Sequence, residues 1–187
     1  MIDRIYISYT ENDELLAQEL AQALWAVNLK TSSSMYSKVL YISMAQRIRF
    51  GISHSDCMIV ILTRESALSP RVNQEIGMAA SECDKLVIVL AEKGVELPIL
   101  VQHIKPILFS QNTYTDALGY LIYTLRNLTR FEWFRIQCPH CGEEMTQYIT
   151  PQDEVDRSLM TGTQLNAMCN YCESDLFLDP RTFKPVL

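Results

Sequence analysis

Two short apolar runs, residues 57–62 (CMIVIL) and 85–91 (KLVIVLA), constrain the fold more than any other feature of this sequence. Neither run alternates with polar residues, which is typical of parallel strands that are covered on both faces. Between them, Pro70 with Ser69 before it marks the start of a helix. Apolar residues then recur at helical spacing, at Val72, Ile76, Ala79, Ala80 and Cys83. This strand, helix and strand predict the centre of a parallel α/β sheet.

The same alternation extends over the first 130 residues. Strands are predicted at residues 4–9, about 29–33 and 105–110, and helices at residues 14–29, 43–53 and 114–128. Asn12 or Asp13 is the expected cap of the first of these helices and Ser43 of the second, in which Gly51 weakens the last turn. Together the segments predict one doubly wound, five-stranded parallel sheet with its crevice beyond the carboxyl ends of the strands.

The composition limits the classes of function. With 187 residues, 48% of them hydrophobic, the chain can bury one full core and a small second unit. The net charge of −6 and the pI of about 5.1 argue against binding to nucleic acid through phosphate neutralisation. No apolar run is long enough to span a bilayer, and the amino terminus lacks the pattern of a signal peptide. A cytoplasmic location without membrane contact is therefore expected.

Two C-x-x-C pairs dominate the last third of the sequence. Cys138 and Cys141 form the first pair, and Cys169 and Cys172 form the second. Two such turns direct four thiolates at one ion, which predicts a tetrahedral zinc site of structural type because no ligand position is left open. Iron in a rubredoxin-like site is the alternative. Cys57 and Cys83 are expected to be small core residues, and His140 is not expected to be a ligand.

A domain boundary is predicted where the cysteine-containing segment begins. Residues 1–130 would form the α/β domain, and residues 131–187 a small β-rich zinc ribbon that needs its metal in order to fold. The second segment holds four basic and nine acidic residues. Its negative charge favours contacts with protein, including self-association, over contacts with nucleic acid.

Two separated motifs resemble the TIR (Toll/interleukin-1 receptor) domain family. Residues 4–24 (RIYISYTENDELLAQELAQAL) are similar to the opening strand and helix of that family, and residues 52–79 (ISHSDCMIVILTRESALSPRVNQEIGMA) to its strand, turn and helix. The turn contains Ser66 and Ser69, and the similarity extends over about residues 3 to 128. The resemblance implies a flavodoxin-like sheet for this region. It also has departures: Arg71 stands where the family usually has tryptophan, and the loop after the second strand lacks a common glycine.

The resemblance assigns a role to Glu75, which helical spacing places at the rim of the buried stripe. In TIR domains that hydrolyse or cyclise NAD, the matching glutamate is catalytic. Nicotinamide leaves NAD as a neutral molecule, so the site needs a carboxylate beside the developing oxocarbenium ribose and no general acid. NAD would then be the substrate, and ADP-ribose or a cyclic ADP-ribose the product. The alternative for Glu75 is an ordinary surface ion pair with Arg71, four residues earlier.

Other residues are candidates for substrate contact. Ser8, Tyr9 and Thr10 follow the first strand into the expected crevice, with packing and helix capping as the alternative. Tyr36 and Tyr41 could stack on adenine or nicotinamide or cover the core, and Arg71 could meet a phosphate.

Three functions remain open at this level. The first is a TIR-domain NAD nucleosidase of prokaryotic immunity or signalling, like the bacterial proteins of anti-phage systems such as Thoeris. Such an enzyme is expected to act as a homo-oligomer through TIR–TIR contacts, to respond to a trigger, and to signal to a downstream effector or receiver of its product. The second is a non-enzymatic TIR adaptor, and the third a small-ligand sensor.

Overall fold

The computed structural model describes residues 2–33, 42–82, 85–129, 133–148 and 152–186. The strands are β1 Arg4–Ser8, β2 Lys30–Ser32, β3 Cys57–Leu62, β4 Leu86–Glu92, β5 Ile107–Phe109, β6 Trp133–Gln137, β7 Glu144–Tyr148, β8 Leu165–Met168 and β9 Asp175–Leu178. The helices are α1 Glu14–Ala26, α2 Met44–Ser53, α3 Pro70–Ala80, α4 Tyr114–Leu128 and α5 Gln152–Thr161. Among these residues, no helix has both the length and the apolar content needed to cross a membrane.

The first five strands form one parallel sheet in the order β2-β1-β3-β4-β5. Every neighbouring pair is parallel, and the register places Ser8 of β1 beside Val60 of β3. This confirms the predicted doubly wound, flavodoxin-like sheet. The strand order reverses direction between β1 and β3, and a crevice opens beyond the carboxyl ends of strands at such a point.

Helices cover both faces of this sheet, as the uninterrupted apolar strands require. Alternate residues of β3 pack on opposite sides: Ile59 lies in the core beneath α1 and α4, and Val60 in the core beneath α2 and α3. Burial raises the pKa of the Cys57 thiol to about 12, which agrees with its predicted role as a small core residue. The link from β4 to β5, residues 93–106, contains turns and no helix.

The predicted caps of α2 and α3 are confirmed. Ser43 and Gln46 form a capping box at α2, and the Ser69 hydroxyl accepts the Val72 N–H at the start of α3. The prediction that Ala80 belongs to the buried stripe of α3 was wrong, because Ala80 is exposed. The prediction for Cys83 stays a prediction, because this residue lies outside the described residues.

The first helix differs from its prediction at both ends. Asp13 occupies the cap position but makes no capping hydrogen bond, and a short 3₁₀ turn, Glu11–Asp13, precedes the helix. The helix ends at Ala26 rather than near residue 29, because Asn28 adopts a left-handed conformation with φ of 62°. The Leu29 N–H then bonds back to the Leu24 carbonyl at 3.0 Å and closes the last turn.

The cysteine-containing segment folds into two antiparallel hairpins, β6-β7 and β8-β9, with α5 between them. The sequence did not predict α5. This segment packs against α1 and α4, since Phe134 and Phe183 belong to the same buried cluster as the inner residues of those helices. The boundary between domains 1–130 and 131–187 stays a prediction.

Candidate active site and metal centre

The centre of the candidate active site is Glu75, on the inner face of α3 near the carboxyl ends of β1 and β3. Its side chain is 0% exposed, so the predicted position at the rim of the stripe was wrong. The reason is how α3 sits on the sheet: Val72 and Ala79, on either side of Glu75, are fully buried, and Ser8 of β1 lies directly against its carboxylate. A carboxylate in that position has no water to hydrate it and requires protein donors.

Two donors approach the two carboxylate oxygens. The Ser8 hydroxyl donates to Glu75 Oε2 at 2.5 Å, and Arg71 Nη1 lies 3.3 Å from Glu75 Oε1. Ser8 is fully buried at the end of β1, and the Arg71 side chain is 21% exposed. The pair with Arg71 is therefore present, but the burial of Glu75 makes it a charge contact within the protein instead of an ordinary surface ion pair.

Arg71 also joins α3 to the first strand. Its second terminal nitrogen, Nη2, donates to the carbonyl of Tyr9 at 2.5 Å. One guanidinium thus holds both the carboxylate of Glu75 and the backbone just beyond β1. Together with the Ser8 bond, this fixes the Glu75 carboxylate at the end of the sheet.

The remaining candidate residues are placed differently. Tyr9 is buried, and its backbone carbonyl is the group that contacts Arg71. The Thr10 hydroxyl donates to Asp13 Oδ2 at 2.6 Å, so it is directed at the first turn before α1. Tyr36 and Tyr41 lie outside the described residues.

Asp13 is a buried carboxylate that sequence reasoning treated only as a helix cap. It is 5% exposed and accepts hydrogen bonds from the hydroxyls of Thr10 and Thr63. The Ser66 hydroxyl in turn receives the Thr63 N–H at 2.6 Å and donates to the Ile61 carbonyl at 3.0 Å. The sequence feature that could have indicated this role of Asp13 is the polar turn that follows each of the neighbouring parallel strands β1 and β3.

A small open cavity of about 280 Å³ lies at this edge of the sheet. It is lined by the loops after β1 and β3 and by the last residue of β4, with Asn12, Asp13, Thr63, Arg64, Glu65 and Glu92. The Asn12 amide donates to the Glu65 carboxylate and ties the first two loops together. The carboxyl edge of the sheet is therefore a polar, recessed surface, as the strand order predicts.

The second candidate site is formed by Cys138, Cys141, Cys169 and Cys172. Their sulfur atoms all lie within 4.8 Å of one another, and the pairs Cys138–Cys172 and Cys141–Cys169 are each 3.7 Å apart. Four thiolates at about 2.3 Å around one zinc ion would be about 3.8 Å apart at the edges of a tetrahedron. The four residues could therefore hold a metal ion, and their spacing fits the predicted tetrahedral site. The described cluster consists of the four cysteines, and His140 is not part of it.

The two cysteine turns have the same backbone design. In the first, the Gly142 N–H bonds to the Cys138 carbonyl at 2.9 Å, and in the second the Glu173 N–H bonds to the Cys169 carbonyl at 3.0 Å. Gly142 and Glu173 both have positive φ, of 77° and 57°. The first turn has the glycine that this conformation favours, and the second has a glutamate in its place.

Comparison with known proteins agrees with this fold. A family model described as "TIR domain" matches residues 5–122, and no curated protein matches the chain. The chain is similar to the crystal structure of the TIR domain of the Toll-related receptor TRR-2 from Hydra magnipapillata, with 18% identity over 68% of this chain and 100% of that chain and a TM-score of 0.57. It is also similar to the TIR domains of the activated Roq1 resistosome, which directly recognises the pathogen effector XopQ (12% identity, 68% of this chain and 99% of that chain, TM-score 0.54).

A third similar structure is the CMP N-glycosidase BcmB of Clostridium botulinum (15% identity, 65% of this chain and 99% of that chain, TM-score 0.50). At these identities the likeness to the three structures concerns the fold. The family match ends at residue 122 and does not include the four cysteines.

Proposed function

Because the chain belongs to the TIR domain family, we propose that it is an NAD nucleosidase that cleaves the bond between nicotinamide and ribose, with Glu75 as the catalytic carboxylate. The observation that carries the proposal is the burial of Glu75 at the carboxyl end of the sheet, where Ser8 and Arg71 hold it. Burying a carboxylate away from water costs free energy. Its position beside the end of β1, at the carboxyl edge of the sheet, supports a chemical role.

The chemistry needs little beyond this carboxylate. Cleavage moves positive charge from the nicotinamide ring to the anomeric carbon of the ribose, and nicotinamide departs neutral. A fixed negative charge that also accepts hydrogen bonds from the ribose hydroxyls stabilises that transition state. One structural relative is an N-glycosidase by name, so a fold of this kind accommodates the cleavage of an N-glycosidic bond.

The product depends on which nucleophile reaches the ribose. Water gives ADP-ribose, and attack by the adenosine part of the same molecule gives a cyclic product. The two are distinguished by mass, because the cyclic product is lighter by one water.

The proposal extends to the cellular setting and the partners. We place the enzyme in the cytoplasm of a prokaryotic cell, in immunity or signalling, where its product acts on a downstream receiver. A homo-oligomer through TIR–TIR contacts is part of the proposal, and the Roq1 relative supports it because its TIR domains stand in an assembled resistosome. The four cysteines are proposed to bind one structural zinc ion per chain.

The deciding experiment is the release of nicotinamide from NAD by the purified full chain, at protein concentrations that favour self-association. We expect Glu75→Gln to lower the rate by about 100-fold or more, since removing one transition-state contact commonly has that effect. The matched control is Glu96→Gln, which removes the same charge from an exposed position in the loop after β4. Circular dichroism and thermal unfolding establish that both variants fold.

Two outcomes would reject the proposal. If the wild type and a folded Glu75→Gln variant release nicotinamide equally fast, Glu75 is not catalytic. If an assembled wild-type protein releases none, the non-enzymatic adaptor is the better interpretation.

A further inference from the structure

The contact between Arg71 and Glu75 conflicts with the catalytic role of the carboxylate in one respect. Each oxygen of Glu75 already has a donor, Ser8 on one side and Arg71 on the other, and the side chain exposes no surface. A ribose hydroxyl must replace a donor in order to bind there. The Arg71 guanidinium also offsets the negative charge that would stabilise an oxocarbenium ion.

Of these two donors among the described residues, Arg71 has the side chain that is partly exposed to solvent. Ser8 is fully buried on β1, so its hydroxyl has no solvent to turn toward. Arg71 lies in the first turn of α3, is partly exposed, and reaches Glu75 at 3.3 Å through a long flexible side chain. A rotation of that side chain toward solvent also releases the Tyr9 carbonyl, so a group that draws Arg71 away must replace both contacts.

The group that would draw Arg71 away must offer a better set of acceptors. A guanidinium binds two oxygens of a phosphate at once, in a fork that matches their spacing. The substrate of the proposed reaction carries a diphosphate between its two nucleosides. The geometry points to Arg71 as a specificity-determining residue: the diphosphate of the bound dinucleotide takes the guanidinium from Glu75, and this exchange frees the carboxylate for the ribose. The inference rests on the proposed function and adds a requirement for the diphosphate.

A binding experiment tests the exchange without any catalysis. ADP carries a diphosphate and no nicotinamide, and its affinity is measured by calorimetry for the wild type, Arg71→Gln, Glu75→Gln and the double variant. Arg71→Gln should weaken ADP binding about tenfold, the usual effect of losing a charge-assisted hydrogen bond. Glu75→Gln should tighten it, because Arg71 is then held less strongly.

The double variant separates exchange from simple repulsion between Glu75 and the diphosphate. If Glu75 acts through Arg71, the gain from Glu75→Gln disappears when Arg71 is already replaced. An equal gain in both backgrounds would overturn the inference, and so would undetectable ADP binding or an unchanged affinity of Arg71→Gln. The control is Arg49→Gln, at an exposed position of α2, and Arg71→Lys serves if Arg71→Gln does not fold.

A second test compares two substrates, NAD and nicotinamide riboside, which lacks phosphate. The preference of the wild type for NAD, as a ratio of kcat/KM values, should fall about tenfold or more in Arg71→Gln, with nicotinamide riboside cleaved as fast or faster. A parallel loss for both substrates would mean that Arg71 only supports the structure. Loss of release in Glu75→Gln tests the proposed function separately, so the two ideas can fail independently.

Discussion

At the scale of single residues, the site depends on how one buried negative charge is compensated. Glu75 is surrounded by the apolar stripe of α3, and an unpaired carboxylate there would take up a proton or unfold the helix from the sheet. Ser8 supplies a neutral donor and Arg71 a charged one. The two donors have different proposed roles. Ser8 orients the carboxylate, and Arg71 leaves it when the diphosphate of the substrate binds.

Replacement of Ser8 tests the orienting role. Ser8→Ala removes the hydroxyl that donates to Glu75 Oε2 and leaves a buried acceptor with one donor fewer. We expect the free energy of unfolding to fall by about 1–3 kcal/mol and nicotinamide release to slow about tenfold. Urea unfolding and the initial rate measure the two effects. Ser8→Thr keeps the hydroxyl and should retain most of the rate, and an unchanged rate in Ser8→Ala would show that Ser8 has no part in the site.

The sequence made Glu75 a candidate, but it did not predict the burial of its side chain. Motif spacing and the resemblance led to the residue, because both depend on position along the chain. Its burial depends on how α3 sits on β3, and the contact of Arg71 with the Tyr9 carbonyl joins groups 62 positions apart in sequence. Spacing along one helix predicts pairs such as Arg71 and Glu75 but not contacts of that kind.

At the scale of elements, the role of a glycine depends on how closely the neighbouring element approaches it. Gly51 of α2 faces the ring of Tyr6 on β1, and a Cβ atom at Gly51 would lie 2.7 Å from Tyr6 Cε2 and 2.9 Å from Cδ2. The sequence indicated only that this glycine weakens the helix. In the structure it lets α2 lie directly on the sheet, over a ring that is 1% exposed.

This contact predicts opposite effects for two alanine substitutions. Gly51→Ala should lower the free energy of unfolding by about 1–3 kcal/mol, because overpacking outweighs the gain in helix propensity. Gly77→Ala on α3 is the matched control: among the described residues its Cβ would meet Leu100 Cδ1, at an ordinary contact distance of 3.7 Å, so a gain of up to about 1 kcal/mol is expected. Urea unfolding of both variants measures the difference, and a shift of both in the same direction would contradict the argument.

Element prediction succeeded where local rules dominate. The apolar runs correctly predicted β3 and β4, and the cap residues Ser43 and Ser69 correctly predicted the starts of α2 and α3. It failed at the end of α1, where Asn28 closes the helix, and at α5, which lies in a segment that was interpreted only through its cysteines.

At the scale of the whole molecule, the cysteine-containing segment shares its core with the α/β sheet. Phe134 and Phe183 contact each other at 5.3 Å between ring centres and belong to the buried cluster of α1 and α4. Arg126 of α4 lies over the Phe183 ring, and Lys184 bonds to Gln22 of α1. Gly119 of α4 permits this approach, since a Cβ there would lie 2.7 Å from Arg181 Cβ. Order in the two hairpins therefore affects the stability of the helices beneath them.

Removal of the metal should consequently destabilise the entire chain. Structural zinc contributes folding free energy directly, so chelation, or the double change Cys169→Ser and Cys172→Ser, should lower the melting temperature by about 10 °C or more in a single transition. Elemental analysis should find one zinc per wild-type chain and none in the double variant, and iron instead of zinc would correct the identity of the ion.

His140→Ala is the matched control, because this exposed histidine lies between Cys138 and Cys141 but outside the ligand cluster. The variant should keep both the metal and the melting temperature. Metal retained by the double variant would contradict the site. A melting curve with two transitions, one of them unchanged by chelation, would show instead that the α/β sheet is stable without the segment that packs on it.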